Sequence, residues 1–259
     1  MRGVRNYRHQ LGYRTMVMHK SELLDSFENF IQCLPGFERI DVLLSGISEG
    51  RRADYAFSNR RILIEQKYTQ RPSARHKRES IEALFEQLTG EPHHDIGQIL
   101  DKMDSLIPDI RQQLTAVVNR KTNFVQKMFS AANEQIGSTV GLLNLGWAHG
   151  VLAILNDHVN GEVHPKEIFW RAKRELQREE DGRRRYGNIL SVFVLSHHSQ
   201  TKSLFSNSFD MPHIGSAESL IQLAPVAAMI SNFYNSAIPN RTGPVEGEIP
   251  PSVSWPLTN

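Results

Sequence analysis

The stretch Arg52-Ala53-Asp54-Tyr55-Ala56-Phe57-Ser58-Asn59-Arg60-Arg61-Ile62-Leu63-Ile64-Glu65-Gln66-Lys67-Tyr68 decides how the chain folds. Two runs rich in β-branched and aromatic residues, Ala53 to Phe57 and Arg61 to Tyr68, flank a short polar segment. Such runs, separated by turn residues, read as the two strands of a hairpin. With a two-residue turn at Asn59-Arg60, Ser58 faces Arg61, Phe57 faces Ile62, Tyr55 faces Ile64 and Asp54 faces Glu65. Side chains alternate between the faces of a sheet. One face therefore collects Tyr55, Phe57, Ile62 and Ile64, an apolar set, and the other collects Asp54, Ala56, Leu63, Glu65 and Lys67.

Two carboxylates directly opposite each other on a strand pair repel, and burial adds a desolvation cost to each. Lys67, on the same face two residues from Glu65, offsets part of this. A divalent cation between Asp54 and Glu65 would offset more, and oxygen-only ligands suit a hard ion such as Mg²⁺ or Mn²⁺. A Lewis acid, an activated water and an adjacent ammonium are the apparatus of metal-assisted phosphodiester hydrolysis. Glu-x-Lys by itself is also common on solvated strands. What raises it here is the apolar run Ile62-Leu63-Ile64 leading into it, the facing Asp54 and the order of elements before it.

Outward from the hairpin, Ser21 to Leu34 reads as a helix, with Ser21 as N-cap, Leu23, Phe27, Phe30, Ile31 and Leu34 at helical spacing, and Pro35-Gly36 as the stop. Ile40 to Leu44 predicts a first strand. From about 74 to about 145 the period is helical, with Ile96, Ile99, Leu100 and Met103 on one helix and Ile110, Leu114, Val117 and Val118 on another. Phe124, Met128, Phe129, Ala132 and Ile136 fit a third, Asp95 reads as a helix cap, and Pro92 and Pro108 supply breaks. Gly150 to Leu155 predicts a strand buried on both faces, Pro165 to about Glu180 a helix, and Ile189 to Leu195 a last strand. Arg183-Arg184-Arg185, following Glu179-Glu180-Asp181, reads as a mutually neutralised loop. The fold class expected is α/β, a mixed central sheet flanked by helices in the order αβββαβ, with a long helical insertion between the third and fourth strands. Residues 1–20, with Arg2, Arg5, Arg8, Arg14, Lys20 and no acid, read as a mobile basic arm; 21–238 form the domain; 239–259, rich in Pro, Gly and Ser, read as a flexible tail.

This order, with Asp54 on the second strand and Glu65-Gln66-Lys67 on the third, resembles the PD-(D/E)xK phosphodiesterase superfamily and its restriction-endonuclease-like fold. The resemblance covers residues 20 to 70 by motif and Gly150 to Leu155 by order alone. It departs from the family pattern in having Ala53 rather than Pro before Asp54, and in the length of the helical segment. It implies a Mg²⁺- or Mn²⁺-dependent nuclease acting on DNA, or in some members RNA, with Asp54 and Glu65 as metal ligands and Lys67 positioning or activating the attacking water. It also implies an acid from the first helix, with Glu22 the first choice and Asp25 and Glu28 left open. A helix of the insertion often supplies another polar group in such nucleases; Gln135 is a candidate, although taken alone it reads as a solvent-facing glutamine. The alternative is a catalytically inactive nucleic-acid-binding or assembly module on the same fold.

Composition sets the remaining bounds. Lys and Arg number 30 against 28 Asp and Glu, a formal charge of +2, which excludes a polycation that coats nucleic acid by charge alone. The basic residues are nevertheless clustered. Arg60, Arg71, Arg75, Lys77 and Arg78 lie in a segment whose sole acid is Glu65, and they are the expected phosphate contacts. The single cysteine, Cys33, excludes an intrachain disulfide and a Cys-rich zinc site, and is expected to pack within the first helix. His93-His94 and His197-His198 lack His-Glu-x-x-His spacing, and neither the glycine-rich nucleotide signatures nor Gly-x-Ser-x-Gly occurs. No apolar stretch is long enough to span a bilayer, so no membrane partner and a cytoplasmic location are expected. Cutting both strands of a duplex with one site per chain would favour a homodimer.

Overall fold

In the computed structural model Tyr55 pairs with Ile64, Ala56 with Leu63 and Phe57 with Ile62, the register that a two-residue turn at Asn59-Arg60 implies. The residues described are 22–33, 36–47, 50–69, 81–91, 95–157 and 163–198, with 203–204, 224 and 228 beyond them. The basic arm, Ser21, Pro92, the tail, and Arg71, Arg75, Lys77 and Arg78 lie outside the described residues. The connection between the paired strands spans Ser58 to Arg61 rather than two residues. Ser58, Asn59 and Arg60 all take positive φ, the Arg61 amide donates to the Ser58 carbonyl (3.2 Å), and the Arg61 carbonyl turns away to accept from His149 (2.7 Å).

The elements run α1 (Glu22–Gln32), β1 (Glu38–Arg39), α2 (Ile40–Leu43), β2 (Tyr55–Phe57), β3 (Ile62–Thr69), α3 (Ile81–Thr89), α4 (Ile96–Lys102), α5 (Pro108–Lys121), α6 (Asn123–Leu142), β4 (His149–Asp157), α7 (Pro165–Leu176), β5 (Glu179–Glu180), β6 (Arg183–Arg184), β7 (Ser191–His198) and β8 (Ser203–Leu204). Six of the strands form one mixed sheet in the order β1-β2-β3-β4-β7-β8. β1, β2 and β3 are antiparallel neighbours, β3, β4 and β7 are parallel, and β8 returns antiparallel to β7. The chain is thus a mixed α/β protein with helices on both faces of its sheet. The two parallel connections are helical, as geometry demands, since parallel strands cannot be joined by a tight turn.

Both faces of β3 and β4 are dry. On one, Phe27 and Ile31 of α1 pack with Tyr55, Phe57, Ile62, Ile64, Val151 and Leu155. On the other, α6 and α7 bring Phe129, Ala132, Ile136, Ile168 and Ala172 against Ala56, Leu63, Leu152, Ile154 and Val194. Each fully buried large apolar side chain contributes about 1.5–3 kcal/mol relative to exposure. A central strand covered in this way places any polar residue in its middle out of water, which is the situation of Glu65.

Three local expectations are corrected. Ile40 to Leu44 forms a helical turn, not a strand: Asp41 accepts the Val42 amide (3.0 Å) and the Leu44 amide closes on Ile40 (3.0 Å). Ile40 and Leu44 are buried while Val42 is 65% exposed, so the apolar run serves a helical turn as well as it would a strand. Arg183-Arg184-Arg185 is not a plain loop. Arg184 pairs with Glu179 and Arg183 with Glu180 across a turn at Asp181-Gly182, both of positive φ, as a tight hairpin requires. Cys33 is exposed rather than packed. The expected Asp95 cap is present, accepting the Gly97 amide at 2.7 Å, and Pro108 opens α5.

Helices α3, α4 and α5 share a core of their own, built on Ile81, Phe85, Ile99, Leu100, Met103, Leu114 and Val118. Beside it, a buried polar seam joins α5 and α6 to α7. Lys121 meets Glu167 at 2.6 Å, and Arg171 meets Glu175 at 2.6 Å while donating to Asn119 and to Gln126 (3.1 Å). Glu167, Arg171 and Glu175 are spaced four residues apart and form one inward stripe of α7. Among the described residues no helix is long and apolar enough to cross a membrane. Arg171→Ala would leave Glu175 buried with only the more distant Arg178 as counter-charge. It should cost about 3–5 kcal/mol, read as a lower urea midpoint with the denaturant slope unchanged.

Candidate functional site

The ladder between β2 and β3 ends at Tyr55 and Ile64, and just beyond it the two acids meet. Asp54 lies at the bend before β2, and its Oδ2 accepts the backbone amide of Gln66 at 2.7 Å. Glu65 is in the middle of β3 and 1% exposed. Lys67, two residues on and therefore on the same face, donates from Nζ to Glu65 Oε1 at 2.5 Å and to Gln135 Oε1 of α6 at 2.6 Å. Gln135 in turn donates from Nε2 to the Arg52 carbonyl at 2.8 Å. The other oxygen of Glu65, Oε2, is buried and has no hydrogen-bond partner.

Electrostatics reports how close the two acids are. Burial, and then the charge of Asp54, push the Glu65 carboxyl up to about 8, against the pull of Lys67 and Gln135. Burial also raises Asp54, opposed by the Gln66 amide and Lys67 and reinforced by the charge of Glu28. Two such groups near one cation cannot both ionise cheaply.

The structure brings together Asp54, Glu65 and Lys67, the three residues expected at the centre. Gln135, read alone as solvent-facing, is corrected: it is half-buried and bonded to Lys67, because α6 packs across β3. Of the first-helix acids, Glu28 adds its charge to Asp54 and Tyr55. Glu22 opens α1 and its side chain lies outside the described residues. Arg60 is tied to Glu38 by two hydrogen bonds, at 3.0 and 3.3 Å, and is half-buried. Arg71, Arg75, Lys77 and Arg78 follow β3 outside the described residues.

The donor set fits a hard divalent cation. It is all oxygen, and a buried carboxylate oxygen without a partner stands beside a second carboxylate. Mg²⁺ is commonly held by one or two protein carboxylates with water and substrate oxygens completing the shell. Among the described residues no group of three or more His, Cys, Asp or Glu is gathered for a metal. Thr139, on α6, was not legible as part of the site. Its hydroxyl accepts the Ala53 amide at 2.8 Å, immediately before Asp54, and a threonine on an amphipathic helix carries no such signal in sequence. No family model, curated protein or solved structure matches this chain.

The raised carboxyl makes metal-free stability depend on pH. Its folded value, about 8, lies above its ordinary 4.5, so the folded form keeps a proton that the unfolded chain has released. That contribution is fully present below about pH 4.5 and is lost as pH rises through about 8. With chelator present, the melting temperature should therefore fall from about pH 6 to about pH 9, and Glu65→Gln should flatten this fall. An equal slope in both proteins would show that Glu65 does not carry the proton.

Proposed function

We propose that this protein is a divalent-metal-dependent nuclease that hydrolyses phosphodiester bonds in DNA, with a core of the restriction-endonuclease-like, PD-(D/E)xK kind. One observation carries the reading: Asp54 and Glu65 share a buried site with a partnerless carboxylate oxygen, and the Lys67 ammonium sits 2.5 Å from Glu65. A seated Mg²⁺ or Mn²⁺ would supply a Lewis acid and an activated water. Asp54 and Glu65 would hold it, and the proton that burial keeps on Glu65 would leave as it binds.

The chain's own residues do the rest. Lys67 has three N–H donors, of which Glu65 and Gln135 take two. The third can meet an attacking water or a phosphate oxygen, and its fixed positive charge opposes the negative charge that develops on phosphorus-bound oxygens in the transition state. Gln135 keeps the ammonium from collapsing wholly onto Glu65. The dry faces of β3 keep the local dielectric low, which strengthens each of these interactions. Arg71, Arg75, Lys77 and Arg78, which follow Lys67 closely in the chain, are the groups that would meet the backbone phosphates on either side of the cut. A second copy of the chain would serve the other strand of a duplex.

Incubation of the purified protein with plasmid and linear DNA and Mg²⁺ or Mn²⁺ should give cleavage. Lys67→Ala should lower the rate about 10²–10³-fold, the usual effect of removing one preorganised transition-state donor, in a chain that is still folded at the assay temperature by circular dichroism although it melts lower, because Glu65 loses its counter-charge. Wild-type protein that binds DNA and cuts neither DNA nor RNA with any metal would establish the binding module instead. Protein that does neither would end the nucleic-acid reading altogether.

A further inference from the structure

Strand β2, between β1 and β3, leaves its ladder with β3 at Tyr55, and what captures the chain before it is α6. Carried on unchanged, the register would set Ala53 against Gln66 and give the Gln66 amide to the Ala53 carbonyl. That pairing is absent: the Asp54 amide still donates to the Ile64 carbonyl (3.2 Å), one residue out of register, and the ladder stops there. The Ala53 amide instead donates to Thr139 Oγ1 (2.8 Å), and the Arg52 carbonyl accepts from Gln135 Nε2 (2.8 Å). Gln135 and Thr139 are one helical turn apart, so together they offer the departing backbone an acceptor and a donor, as a neighbouring strand would. Thr139 is fully buried, and its hydroxyl proton is committed to the Gln135 carbonyl (2.8 Å), which leaves the oxygen free to accept and nothing else.

We infer that Thr139, acting with Gln135, is a positioning residue for Asp54. By drawing the Arg52–Ala53 segment off β3, the pair leaves the Gln66 amide without a main-chain acceptor. The Asp54 carboxylate fills that place and is thereby held beside Glu65. The same glutamine holds Lys67 through its other amide atom. One helical turn of α6 therefore sets both an acid and the ammonium of the site. The consequence for metal binding rests on the nuclease reading; the capture of the strand does not.

Amide hydrogen exchange in the metal-free chain and Mn²⁺ titration calorimetry test the two parts separately. Thr139→Val removes the hydroxyl at nearly constant shape, and Thr139→Ser keeps it. The Gln66 amide should lose protection in the valine variant while the amides of β4 keep theirs, and serine should restore it. Mn²⁺ affinity should fall about tenfold with valine and recover with serine, the size of effect that a residue orienting a ligand usually has. Thr139→Ala, which opens space for a water at the Ala53 amide, gives the same readings should valine not fold. Unchanged Gln66 protection in the valine or alanine variant overturns the inference. Wild-type protein that binds no Mn²⁺ overturns the metal reading, while the exchange measurement still decides the capture.

Discussion

Two carboxyl groups held side by side out of water, with one ammonium between them and the solvent, form the constraint around which this molecule is arranged. Asp54 and Glu65 repel, and both are penalised by burial. Lys67 compensates one charge, not two. Such an arrangement is a poor way to make a protein stable, because well-packed apolar residues in the same volume would do better. Sequences that break a local rule of this kind usually do so at a functional position. The surrounding structure is what makes the arrangement possible: β3 is covered on both faces, and α6 reaches across to hold the ammonium and the incoming strand.

The seam on α7 shows that buried charge alone is not the signal. There Glu167 faces Lys121, and Glu175 faces Arg171 and, at 3.6 Å, Arg178, while Arg171 also donates to Asn119 and Gln126. Each anion has at least one cation of its own, and the assembly fixes how the helices of the insertion sit against α7. At Asp54 and Glu65 two carboxyls face one ammonium, and that surplus of negative charge sets the pair apart from the seam. Burial raises both the Glu65 and the Glu167 carboxyls; at Glu65 the charge of Asp54 is the next largest push upward, whereas at Glu167 Lys121 and the His164 amide (2.7 Å) oppose the rise.

How the strands end matters as much as how they pair. β2 is three residues long, and the divergence at its start is where the sheet stops being a ladder and becomes a site. A strand end that keeps all its main-chain bonds to its neighbour would leave Asp54 no backbone donor to bind. Here bonds are redistributed to helix side chains: the Ala53 amide and the Arg52 carbonyl both keep a partner, which limits the cost of the divergence.

By itself the sequence determined the pairing of Tyr55–Phe57 with Ile62–Ile64, the nearness of Asp54 to Glu65 and Lys67, the helical stretch between β3 and β4 and the buried character of β4, although Asp54 stands at a bend beyond the ladder rather than paired with Glu65. These are properties of a period of two or of 3.6 residues, and they are encoded within a dozen positions. Where a short segment satisfied both periods, as Ile40 to Leu44 does, local pattern could not decide. Only the tertiary structure revealed Gln135 and Thr139, and only it turned Glu167, Arg171 and Glu175 inward. Polar residues on a helix look solvent-facing until the partner surface is known, and here the partners are 68 residues away for Lys67 and Gln135 and 86 for Ala53 and Thr139. A hydrogen bond between such distant residues exists because packing the apolar faces of α6 and β3 first closes the intervening chain, and no local pattern carries that information.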